Sequence, residues 1–337
     1  MITGDKRPHV LHFDVPAVIT ASSSAVGYEE HRGPFGQYFD YHDDTDRFGM
    51  KTWELAEGEM ARIAMNLALK RRGISHEEVD VLLAGDLQNQ CVASSSGASS
   101  FFIPYIGLYG ACSTAVEGML LASVLLNASG GPARVGVLTS SHNCAAERQF
   151  RFPLEYGGQR APTAQWTATA TGAFLLEKEG VGARITKGMA GRIVDGGIAD
   201  ATNMGAAMAP AACDSLVSYF GETGETPDDF DAIVTGDLGM EGSAILQTLT
   251  EDVGIFLGQK HFDCGASLYN KSRQDVHAGA SGCGCIAAMC ASYFTHAMRE
   301  GRYKRLLVMA TGALMSPSSV QQGENIYGVA PLVVWEK

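Results

Sequence analysis

No Cys-x-x-Cys pair occurs among the eight cysteines, which lie at 91, 112, 144, 213, 264, 283, 285 and 290. No spacing in that set matches a zinc site, so no metal site is expected. A reduced chain without disulfides is expected, of the cytosolic type. No uncharged apolar run reaches the ~18 residues of a membrane-spanning helix. The N-terminus lacks the charged stretch and apolar run of a secretory signal. Positive charge is also short: 25 Lys and Arg stand against 37 Asp and Glu, a net charge of -12. An acidic surface argues against nucleic acid as a partner and against adsorption to anionic lipid, while leaving room for a local basic pocket.

What is present is apolar residue and glycine. Of 337 residues, 46% are hydrophobic and 40 are glycine. That is enough for a large core and for two halves of ordinary domain size. The glycines lie between apolar runs, which suits tight turns and close helix packing in an α/β protein.

The stretch that organises the chain is Gly110-Ala111-Cys112-Ser113-Thr114 with the run to Leu126 behind it. That run has almost no polar face, which predicts a buried helix. Ser113 and Thr114 suit its first turn. Cys112 then sits at the mouth of a buried helix, where the helix dipole favours a thiolate. The plainer reading is a small cysteine packed as a hydrophobe.

Residues 1 to 50 read as irregular, with one short strand at Ala17 to Thr20. His42, Asp43, Asp44 and Asp46 match no calcium loop and read as a solvated acidic loop. Thr52 to Arg72 has helical spacing and ends at Gly73. Asp80 to Leu87 reads as a buried strand ending in a polar turn, and its phrase returns at Asp231 to Leu238. Gly110-Ala111-Cys112-Ser113 likewise returns as Gly279-Ala280-Ser281-Gly282. Each is followed by an apolar helix and then a strand, Arg134 to Thr139 and Arg305 to Ala310. A further strand is expected at Ala173 to Glu177. Two α/β halves related by a pseudo-twofold axis are expected, 1–178 carrying Cys112 and 179–337 carrying Ser281. Between them, a polar, glycine-rich loop brings Arg148 and Arg151 nearest to the cysteine in element order.

These phrases resemble the thiolase and ketoacyl-synthase superfamily, and more closely its stage V sporulation protein AD branch. They include Leu83-Ala84-Gly85-Asp86-Leu87, Tyr109 to Thr114, Ser140-Ser141-His142-Asn143, Ala146 to Arg151, Glu155 to Gln159, Ala207 to Ala212, Asp263-Cys264-Gly265 and Gly312 to Pro317. The resemblance implies a layered α-β-α-β-α fold with a central buried helix pair. It implies a non-catalytic protein that binds dipicolinic acid (pyridine-2,6-dicarboxylate) and helps move it into the developing spore. Partners would be other stage V sporulation A membrane proteins at the spore inner membrane and a second copy of the chain. No cofactor is implied.

A condensing enzyme of this superfamily needs a cysteine with His or Asn partners. Cys112 matches the nucleophile. Asp263-Cys264-Gly265 stands where a first partner is expected, and His277 is an ambiguous second. The competing reading is therefore a ketoacyl-synthase III-like acyltransferase using Cys112, and a weaker third is a structural subunit with a vestigial pocket. For dipicolinate, free or as its calcium chelate, the candidate contacts are Cys112, Ser141, His142, Arg148, Asp263 and His277. The start of the buried helix adds backbone N–H donors.

Overall fold

A computed structural model of the chain describes residues 9–150 and 160–337. Ten strands form the path of one long sheet: β1 (Leu11–Val26), β2 (Val81–Gly85), β3 (Tyr105–Gly107), β4 (Arg134–Ser141), β5 (Ala170–Glu177), β6 (Arg184–Met189), β7 (Ala232–Thr235), β8 (His261–Asp263), β9 (Arg305–Met309) and β10 (Leu332–Glu336). Their order is β8-β7-β9-β10-β6-β1-β5-β4-β2-β3, and an eleventh two-residue strand, Tyr41–His42, pairs beside β1. Numbered from the first strand of each set, both halves read 3-2-4-5-1. The repeat seen in the sequence is thus a repeat of topology. The sixteen-residue β1 is much longer than the strand expected at Ala17 to Thr20. It pairs with β5 along one stretch and with β6 along another, joining the halves.

Among the helices that cover and separate the strands are α1 (Trp53–Arg72), α2 (Thr114–Asn127), α3 (Asn143–Phe150), α4 (Met204–Thr223), α5 (Gly239–Asp252) and α6 (Cys283–Met289). Helix α1 begins where the Thr52 side chain accepts the Leu55 N–H and ends at Gly73, whose φ of 75° is left-handed. Side chains alternate along each strand, so the inner strands serve two cores. Val137 and Phe174 face inward with Met119 and Leu126 of α2, and Ile286 and Met289 of α6, alongside Val234 and Val308 of the second half. Leu138 and Leu175 face outward onto Met60 and Met65 of α1. Ile233 and Leu307 face outward onto Met208 and Leu216 of α4. The layers are α-β-α-β-α, with α2 and α6 at the centre.

Helix α2 departs from the expectation in one respect. Met119, Ala122, Ser123 and Leu126 are buried, but Leu121 and Val124 are exposed at 37% and 40%. An apolar run does not reveal which of its faces is covered.

Each half anchors the first residue of its fourth strand with an ion-pair cluster. Glu177 accepts hydrogen bonds from Arg72, Arg134 and Thr20, and Glu225 from Lys187, Tyr219 and Arg305. Burial alone raises these carboxyls, yet the donors hold both down at about 2. A lowered folded pKa stabilises above the unfolded value, and that stability is lost as pH falls through the folded one. Melting temperature should therefore fall between about pH 4.5 and 2, and Glu177→Gln should flatten that slope while lowering stability at neutral pH.

Candidate functional site

The turn carrying Cys112 crosses the end of β2. A side chain at Gly85 would meet the Leu108 carbonyl at 2.2 Å, so glycine lets the turn descend onto the strand. Ala111 holds φ at 51°, an uncommon conformation for alanine. Ser113 Oγ donates to the Gly110 carbonyl and Thr114 Oγ1 to the Ala111 carbonyl, at 2.7 Å each. The hydroxyls expected to cap the helix instead fasten the turn in front of it. Cys112 is left 5% exposed at the start of α2.

The partner of Cys112 comes from the other half and is Asp237, just beyond β7. Asp237 is 1% exposed, hydrogen-bonded with the Cys112 thiol, and accepts from Thr311 Oγ1 at 2.8 Å and from the Gly282 N–H at 3.3 Å. Burial pushes its carboxyl up to about 7, against the pull of these donors. Burial and then the Asp237 charge push the Cys112 thiol well above its usual range. The thiolate expected from the helix dipole is therefore disfavoured: a buried negative group in contact outweighs a partial charge screened within one turn.

A cavity of about 350 Å³ opens in front of Cys112 at the junction of the halves. Leu87, Ala146, Phe150, Met204, Ala313 and Met315 give it an apolar lining, and Tyr109, Glu147, Arg160, Gln165, Thr167, Thr202 and Ser281 give it polar points. Thr167 and Ser281 are brought together by a short parallel pairing of Trp166–Thr167 with Ala280–Ser281, one strand from each half. Arg160 is held by Asp275 at 2.8 Å and lies 4.9 Å over the Trp166 ring. Its side chain is 8% exposed, and its buried Nη1 has no hydrogen-bond partner among the described residues. The Gln165 amide donates to the Asp237 and Ala280 carbonyls, leaving its buried Oε1 unpartnered.

Of the candidates read from the sequence, Cys112 lines this cavity. Ser141 is buried, donating to the Ala168 carbonyl and accepting from the Gly284 N–H. His142 is fully buried, with Nε2 on the Asp46 carbonyl and its ring 5.4 Å from Trp53. Arg148 pairs with Glu54 away from the cavity. Asp263 accepts from the Leu238, Gly239 and Ala266 N–H groups and from Thr235 Oγ1, which ties β8 to the β7 turn. His261 bonds that same hydroxyl, since residues two apart on a strand share a face. His277 stands behind the cavity wall, bonding the Ala161 carbonyl and Asp275. Arg151 and Glu155 to Gln159 lie outside the described residues.

The repeat carries the sequence signal for Asp237. Asp86 and Asp237 occupy the same place in the two copies, and both are buried. Asp86 belongs to a second polar nest, accepting from the Gln88 and Ser94 N–H groups. Glu57 lies beside it on α1 and accepts from Gln88 and Ser140; burial and then Asp86 push its carboxyl up to about 8. Nothing local in the sequence marked Arg160, which reaches the cavity from a loop. All eight cysteines are free thiols. Among the described residues no His, Cys, Asp and Glu cluster could hold a metal ion, and no helix is long and apolar enough to cross a membrane.

The sequence signature of the family described as stage V sporulation protein AD matches residues 7–336. Stage V sporulation protein AD of Bacillus subtilis (strain 168) is 41% identical over 325 residues, 96% of each chain. Among solved structures, 3-oxoacyl-[acyl-carrier-protein] synthase III of Aquifex aeolicus VF5 is similar at a TM-score of 0.58 and 13% identity, over 94% of this chain and 99% of that one. The corresponding synthase of Pseudomonas aeruginosa PAO1 is similar at 0.58 and 15%, over 96% and 99%. At such identities these two show the fold, which is thiolase-like.

Proposed function

The chain belongs to the stage V sporulation protein AD family, and from that premise we propose that it binds dipicolinate in the Cys112 cavity during spore formation, without acyl transfer. The observation that carries this reading is Arg160: a largely buried guanidinium that lines the cavity suits a carboxylate. Phe150 and Tyr109 suit a flat ring, and Ser281 offers a hydroxyl donor for a second carboxylate, the Thr167 and Thr202 hydroxyls already donating to Glu147 and Asp200. Acyl transfer by Cys112 is disfavoured because burial, and then the neighbouring Asp237, stabilise the thiol over the thiolate.

The protein works as a homodimer beside membrane proteins of the same transport step, at the spore inner membrane. The dimer is supported by edge strand β3, on which Tyr105 and Ile106 are exposed.

Titration of the purified protein with dipicolinate, with and without calcium, tests the reading. Cys112→Ala should weaken binding of the folded protein by about 1.5–3 kcal/mol, roughly 10- to 150-fold, whatever the lost bond to Asp237 does to the melting temperature. A lower melting temperature with unchanged affinity would make Cys112 a packing residue. Incubation with acyl-CoA donors should leave no acyl mass on Cys112; a stoichiometric adduct with turnover would replace this reading with a condensing enzyme.

A further inference from the structure

We infer, resting on the dipicolinate reading, that Asp237 determines the charge state the cavity accepts: the dianion binds together with one proton, which Asp237 takes up. The argument is geometric. Asp237 accepts the N–H of Gly282, the neighbour of the lining residue Ser281, and is bonded with the Cys112 thiol that lines the cavity, so a carboxylate that reaches Cys112 approaches a second carboxylate. No Arg, Lys or His pairs with Asp237 among the described residues. Its donors are a thiol, a hydroxyl and one backbone N–H. Gln165 cannot help, because its amide protons are spent on carbonyls, including that of Asp237 itself. Arg160, paired with Asp275, supplies one positive charge, while Glu147 also lines the cavity and the ligand brings two negative charges. A further negative charge on Asp237 would stand uncompensated, and protonation removes it.

The thiols of Cys112, Cys264, Cys283 and Cys285, which also face Asp237, are pushed well above their usual range by burial, so they stay neutral near pH 7. Asp263 faces it too, and accepts from three N–H groups and a hydroxyl. Asp237 is poised differently: burial already holds its carboxyl at about 7. Above that pH an incoming anion must be matched by proton uptake. Below it the proton is in place and affinity is level.

Calorimetric titration of the whole protein with dipicolinate, without calcium, at about pH 8 in buffers of different ionisation enthalpy counts the protons. Uptake close to one is expected, with affinity falling up to about tenfold per pH unit above 7. Asp237→Asn should abolish the uptake and flatten the profile. Thr311→Val removes a donor that favours the carboxylate and should move the fall in affinity to higher pH, which keeps the test open if the first variant does not fold. Measurable binding without proton uptake, or uptake that persists in Asp237→Asn, overturns the inference. Absence of dipicolinate binding at every pH overturns the reading beneath it instead.

Discussion

Arg160→Ala is expected to weaken dipicolinate binding by about 2–5 kcal/mol, roughly 30- to 5,000-fold, the cost of removing one partner from a buried, hydrogen-bonded charge pair. Arg160 is the cation lining the cavity among the described residues, and its side chain is pre-positioned by Asp275 and the Trp166 ring. Arg160→Lys keeps the charge but loses the planar fork and should fall between the two. Asp275 is 79% exposed, so its loss should cost far less, because a solvated neighbour holds the guanidinium only weakly. Affinities by calorimetry, with melting temperatures on the same samples, decide the matter. Wild-type affinity in a folded Arg160→Ala protein would move the anion elsewhere.

The second large effect concerns the centre of the fold. Met119→Ala should lower stability by about 2–5 kcal/mol, because the cavity it leaves is walled by strands of both halves and cannot collapse freely. Leu121→Ala, two residues along the same helix, should cost under about 1 kcal/mol, since that side chain is 37% exposed. Urea midpoints for both variants give the comparison. Equal losses would mean that Leu121 is covered in solution, for example by another protein surface.

The duplicated phrases were legible as two halves because each copy must satisfy the same local physics. A strand buried on both faces reads as a continuous apolar run, and a polar turn must follow where the chain leaves the sheet. Asp231 to Leu238 therefore looks like Asp80 to Leu87, and the strand orders agree. What the phrases did not disclose is which copy meets which. His142 and Arg148 are close to Cys112 in chain order, yet one is sealed behind Trp53 and the other pairs with Glu54. Asp263 had the right residue type near the right element, but its carboxylate is consumed by three N–H groups of the neighbouring turns.

By itself the sequence determined the α/β class, the repeat and the placement of Cys112 before a buried helix, from short-range patterns of apolar residues and glycine; the family and its layered fold were legible through the resemblance of its phrases. Only the tertiary structure decided what Cys112 touches. The pseudo-twofold axis brings the end of β7 from the second half against the turn of the first, so the partner is Asp237, 125 positions away (237 − 112). The same crossing sets Arg160 and Ser281 around one cavity. The protonation of that site follows from burial and contact, quantities that belong to the packed chain and have no local signature in its order of residues.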